Sequence, residues 1–74
     1  MEIRLKINDK FMDELKDETG ITNTSQLTSE ALSLLKWAVS ESKKGRVLVS
    51  ENADGSDEKE VVLPSLQNAR IING

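Results

Sequence analysis

The chain begins MEIRLKIN, a strict alternation that puts Ile3, Leu5 and Ile7 on one side and Glu2, Arg4, Lys6 and Asn8 on the other. A period of two over this length marks a strand with one face covered and one face in water. Such a strand cannot stand alone, because its backbone donors and acceptors need a neighbour and its apolar side needs a cover. The residues after it, from Asp9 to about Lys44, read as helix and offer no second strand. The opening stretch therefore demands a partner strand from elsewhere, and a second copy of the chain is the economical source.

Size points the same way. With 74 residues, a net charge of -3 and 36% hydrophobic residues, the chain suits one small soluble domain. A monomer this short buries only roughly 60% of the surface its unfolded chain exposes, and usually needs disulfides, a metal or a partner subunit. Cysteine and histidine are both absent, which removes disulfides and the usual zinc, iron and copper ligand sets. Oligomerisation is the staple left, and neither a metal nor another cofactor is expected. No basic segment leads into an apolar run of signal-peptide length, and no stretch approaches the roughly 20 apolar residues that span a bilayer. A cytoplasmic protein with no membrane partner is expected.

Local signals divide the stretch from Asp9 to about Lys44 into two helices. Asn8 and Asp9 offer side-chain acceptors for the first amides of a helix over DKFMDELKDET, and Gly20 can end it in the left-handed conformation. Phe11 and Leu15 share a face, with Asp13, Glu14, Lys16 and Asp17 pointing outward. ITNTSQ is rich in residues that cap helices, with Asn23 the first choice of N-cap and Thr22 the second. A long helix runs from about Thr24 to about Lys44, stopped by Gly45. At about 100° per residue, Leu27, Ala31, Leu32, Leu34, Leu35, Ala38 and Val39 fill an arc of roughly 160°. That is wider than one neighbour requires, so the helix should pack on its own chain and on a second copy at once. Trp37, on the flank of this arc, is expected to pack against a C-terminal hairpin.

That hairpin is read from Val47-Leu48-Val49 and Val61-Val62-Leu63, two β-branched runs around NADGSD, with Asp54-Gly55 as the turn signal. Pro64 closes the second run, and SLQNARIING has no clear period, so residues 65–74 are expected to be an irregular tail with a poorly ordered end. The acidic excess sits here: Glu51, Asp54, Asp57, Glu58 and Glu60 stand against Lys59 and Arg70, while the charges of residues 1–49 balance. A negative total thus does not argue against a nucleic-acid partner for the N-terminal part.

Strand, short helix, glycine, polar cap and long helix, in this order and at these lengths, resemble the ribbon-helix-helix (MetJ/Arc/CopG) family of DNA-binding proteins. The resemblance rests on EIRLKIN, DKFMDELKDETG and TNTSQLTSEALSLLKWA, and covers roughly residues 2–45; LLKWAVSESKKGRVLV and the DG-centred hairpin resemble an extension of some bacterial members. It implies an α+β homodimer with an intermolecular two-stranded antiparallel ribbon. Residues 1–45 would form the dimerisation and DNA-binding domain, and residues 46–64 a β-hairpin extension. By the same resemblance Glu2, Arg4 and Lys6 take the base-contacting positions of a ribbon in the major groove of double-stranded DNA. Asn23, Thr24 and Ser25 take the phosphate-contacting positions at a helix start. Ile3, Leu5, Ile7, Phe11, Leu15, Leu27, Ala31, Leu34, Leu35 and Ala38 form the dimer core. Two departures from the pattern are that no basic arm stands between Met1 and the strand, and that Glu2 sits on the reading face, where it must accept from a cytosine amine or repel phosphate.

The function expected is a sequence-specific transcriptional regulator, a repressor by occupancy. Two alternatives stand beside it: an antitoxin whose acidic C-terminal segment from about Arg46 binds a toxin protein, and a dimerisation or adaptor module without DNA binding. An enzyme is not expected, since no nucleophile and base stand in an identifiable pattern and adjacent carboxylates such as Asp13 and Glu14 diverge on a helix. A calcium loop at SENADGSDEKEV fails at its ends, where Ser50 and Val61 occupy the first-ligand and bidentate-glutamate positions.

Overall fold

A computed structural model describes residue 2 and residues 4–73; Ile3, expected in the dimer core, lies outside the described residues. The element order is α1 (Asp9–Thr19), α2 (Thr24–Lys43), β1 (Val49–Ser50), β2 (Lys59–Glu60) and α3 (Pro64–Asn73), a small α+β chain with one two-stranded antiparallel sheet among the described residues. It divides into two compact units, Met1–Glu30 and Ala31–Gly74, and the division falls inside α2.

In the first unit, residues 4–8 belong to no helix and no strand within the chain. The helix after them starts where its cap predicts. Asn8 Oδ1 accepts from the Phe11 amide at 3.1 Å, which satisfies one of the free donors of the first turn. Gly20 closes α1 at φ 71°, its amide donating to the Lys16 carbonyl at 2.9 Å. This left-handed geometry costs a residue with a Cβ about 1–2 kcal/mol, so glycine at this position is a conformational requirement. No residue of α1 is buried. The start of α2 repeats the device: Asn23 Oδ1 accepts from the Gln26 amide at 3.1 Å, and the Asn23 carbonyl accepts from the Leu27 amide.

The second unit has a core of small and aliphatic side chains, Ala38, Leu66 and Ala69, around the fully buried Ser42. Ser42 Oγ donates to the Leu66 carbonyl at 2.7 Å, which brings the last turn of α2 against α3. A second tie runs from the Arg70 guanidinium to the Arg46 carbonyl at 3.3 Å. Glu41 organises the end of α2, pairing with Arg46 at 3.3 Å and Lys44 at 3.6 Å while its carbonyl accepts from both their amides.

Three features of this unit differ from the expectations. The paired strand residues are Val49 with Glu60 and Ser50 with Lys59, at the loop-side ends of the two apolar runs; Val61 adds a bond to the Leu48 carbonyl at 2.8 Å. The loop sets this register. Asn52 accepts from the Gly55 amide and donates its own amide to the Ser56 carbonyl, and Gly55 takes φ 86°. Residues 65–73 are not an irregular tail, because Pro64–Asn73 is helical. Pro64 opens that helix, where its missing N–H is no loss and its fixed φ is already helical. Leu66 and Ala69, three apart, supply the buried stripe that the short segment conceals. Trp37 is not covered by the hairpin to the extent expected, being 53% exposed; Ala38 and Ser42 form the inward face of this part of α2 instead.

Candidate nucleic-acid interface

The residues expected to meet DNA all lie in the first unit and all reach solvent. Glu2, Arg4 and Lys6 are exposed, as are Asn23, Thr24 and Ser25 at the start of α2. Among the described residues neither Arg4 nor Lys6 has an ion-pair partner, so both cationic heads are available to an anion. The cations elsewhere are more often committed: Lys10 lies 4.0 Å from Glu14, Lys44 and Arg46 hold Glu41, and Lys59 lies 3.6 Å from Asp57.

At the start of α2, the Asn23 side chain is engaged by the Gln26 amide. The amides of Thr24 and Ser25 find no acceptor among the described residues, and they stand at the positive end of a 20-residue helix. The cap residue thus orders the turn while leaving two donors pointing outward, an arrangement suited to one phosphate oxygen.

The expected dimer core splits in two. Leu27 and Ala38 are buried and Leu15 and Leu35 half-buried within one chain, whereas Ala31, Leu5 (56% exposed), Ile7, Phe11 (58%) and Leu34 (64%) face water. Leu5, Ile7 and Phe11 are the apolar side of the alternating stretch and the first turn behind it. Large side chains left this open cost about 1.5–3 kcal/mol each relative to burial.

Sequence reasoning missed Ser42, Arg46 and Arg70 as the ties of the second unit. The available signal was Ala38 and Ser42, two small residues four apart on the apolar arc of a long helix, which allows another backbone to approach closely. A recess of about 60 Å³ beside these ties, lined by Ser42, Leu66 and Arg70 among others, is too small for a cofactor. In the hairpin loop, Asp54 Oδ1 accepts from the Ser56 hydroxyl at 2.6 Å and the Ser56 amide at 3.0 Å. These bonds, the hydroxyl first, hold the exposed Asp54 carboxyl below its ordinary value of 3.8. The carboxylate is turned to the loop's own donors. Among the described residues no group of three or more acidic side chains gathers as a metal site would require, and no helix is long and apolar enough to cross a membrane.

Comparison of the chain with protein-family models, with curated proteins and with solved structures finds no match.

Proposed function

We propose that the protein is a homodimeric, sequence-specific DNA-binding regulator of the ribbon-helix-helix type, acting as a repressor by occupying its operator. The observation that carries this reading is the state of residues 4–8. They alternate apolar and charged, they form no strand within the chain, and Leu5, Ile7 and Phe11 stand open to water. A second copy resolves all three conditions at once: antiparallel pairing satisfies both backbones, the apolar side closes on helices, and Arg4 and Lys6 of each chain face outward together. A two-stranded ribbon fits the major groove of B-DNA, where Arg or Lys meets the acceptors of guanine. The capped start of α2, with the Thr24 and Ser25 amides open, suits the flanking phosphate that sets register.

The C-terminal part has a different character. It closes on itself through Ser42 and Arg70, which favours a folded appendage over a segment held open for a toxin partner. Selection of bound sites from a random DNA pool, with the native mass of free and bound protein, tests the reading. A dimer that enriches a short sequence supports it; no enrichment and no binding even at low ionic strength would leave the adaptor module as the better explanation.

A further inference from the structure

We propose that Asp54–Gly55 is a site of spontaneous backbone isomerisation to isoaspartate, which the folded hairpin loop keeps closed and which reacts when that loop opens. Asp54–Gly55 is the only Asp–Gly pair in the chain, and it lies exposed at the loop tip. Glycine has no Cβ to shield its amide nitrogen, so an aspartate before it is the kind most prone to this rearrangement. In the reaction the Gly55 nitrogen attacks the Asp54 Cγ, a bond forms between them, and the carboxyl OH leaves with the amide proton as water. Water then adds to the five-membered imide. Opening at the side-chain carbonyl restores aspartate, whereas opening at the main-chain carbonyl routes the backbone through the side chain. One water leaves and one returns, with no change of oxidation state.

The loop occupies both reacting groups. The Gly55 amide donates to the Asn52 carbonyl at 2.8 Å, a bond that must break before its nitrogen can attack. Asp54 Oδ1 accepts from the Ser56 hydroxyl at 2.6 Å and the Ser56 amide at 3.0 Å, which fixes the carboxyl on Ser56. These bonds also favour the ionised carboxylate, whose oxygen leaves poorly, over the reactive neutral acid. Asn52 closes the ring, its side-chain amide donating to Ser56 Oγ at 3.1 Å and its backbone amide to the Ser56 carbonyl at 2.9 Å. Only two residue pairs of strand anchor this loop, so few bonds oppose a local opening. The product carries one more methylene in the main chain and its carboxylate in a new place. It cannot remake the Ser56 bonds in the same register, so each event is a lasting record of an opening.

The experiment incubates the full chain at mildly acidic pH, folded and in urea, as parent, S56A and D54E. Isoaspartate is read by enzymatic methylation with an isoaspartyl methyltransferase and by mapping the tryptic peptide Val47–Lys59. Deamidation of Asn52 or Asn73 changes the mass, whereas isomerisation of Asp54 does not, so the products are distinguishable. The unfolded parent should accumulate isoaspartate at this peptide several-fold faster than the folded parent. Folded S56A, its helices confirmed by circular dichroism, should lie between the two, and D54E should show none. Equal rates in folded and unfolded parent, or S56A no faster than the parent, would overturn the protection by the loop. Unmodified peptide even in the unfolded parent, or a product that persists in D54E, would overturn the site itself.

Discussion

Ser42→Ala removes the hydroxyl that ties the last turn of α2 to α3. The bond is short, 2.7 Å to the Leu66 carbonyl, and Ser42 is only 1% exposed, so water cannot replace it. Losing a neutral hydrogen bond of this kind costs about 0.5–1.5 kcal/mol. Alanine is the better helix former by up to about 0.5 kcal/mol, which offsets part of the loss. The net expectation is about 0.5–1 kcal/mol of stability, or a fall of about 2–8 °C in Tm for a chain of this length. Ser42→Val should cost more, about 1–3 kcal/mol, because it loses the same bond and adds a β-branched side chain at a helical position only 1% exposed. Urea unfolding at one fixed protein concentration measures both, since the proposed dimer would make the midpoint concentration-dependent. Hydrogen exchange at the α3 amides localises the effect, with protection falling there first. An S42A variant with the parent's midpoint and unchanged protection of α3 would refute the argument that this hydroxyl fastens the C-terminal helix.

Two further outcomes come from the caps and the loop. Asn23→Ala should lower stability by about 1 kcal/mol, read by urea unfolding, and should weaken DNA binding by a similar factor on every sequence, since a phosphate contact carries no base preference. The carboxyl of Asp54 has its pKa lowered in the folded loop by the Ser56 hydroxyl and amide. Its ionised form therefore favours the fold, a contribution complete above the unfolded value and lost as pH falls through the lowered one. Ser56→Ala should move the Asp54 midpoint upward in an NMR carboxyl titration.

Features decided between neighbouring residues were legible in the sequence. Asn8 and Gly20 bound α1, and Asn23 opens α2, because a cap is a contact over three or four residues between a side chain and the backbone beside it. The hairpin was legible as a hairpin but not in its register, since Gly55 and the Asn52 and Ser56 bonds set the pairing at Val49–Glu60 while the apolar runs pointed farther from the loop. The helix after Pro64 was missed because its buried stripe consists of Leu66 and Ala69, too short a period to detect, and because its support comes from Ser42, 24 residues away. Trp37 shows the opposite limit. Its size suggested a buried partner within the chain, whereas it is 53% exposed because Ala38 and Ser42 take the inward face of this part of α2. At the candidate interface, the alternation of Glu2, Arg4 and Lys6 against Leu5 and Ile7 was plain, but residues 4–8 form no strand within the chain, and the ribbon proposed for them would need a second copy.

If the outward side of this alternating stretch reads DNA, Arg4→Ala must change sequence preference and not affinity alone. Binding of the parent and R4A by fluorescence anisotropy, to the duplex enriched from a random pool and to a scrambled duplex at the same salt concentration, separates base reading from simple attraction to phosphate. Base reading predicts a loss of about 1–3 kcal/mol, roughly tenfold or more, on the enriched site and little change on the scrambled one. Equal binding of parent and variant to the enriched site would contradict it.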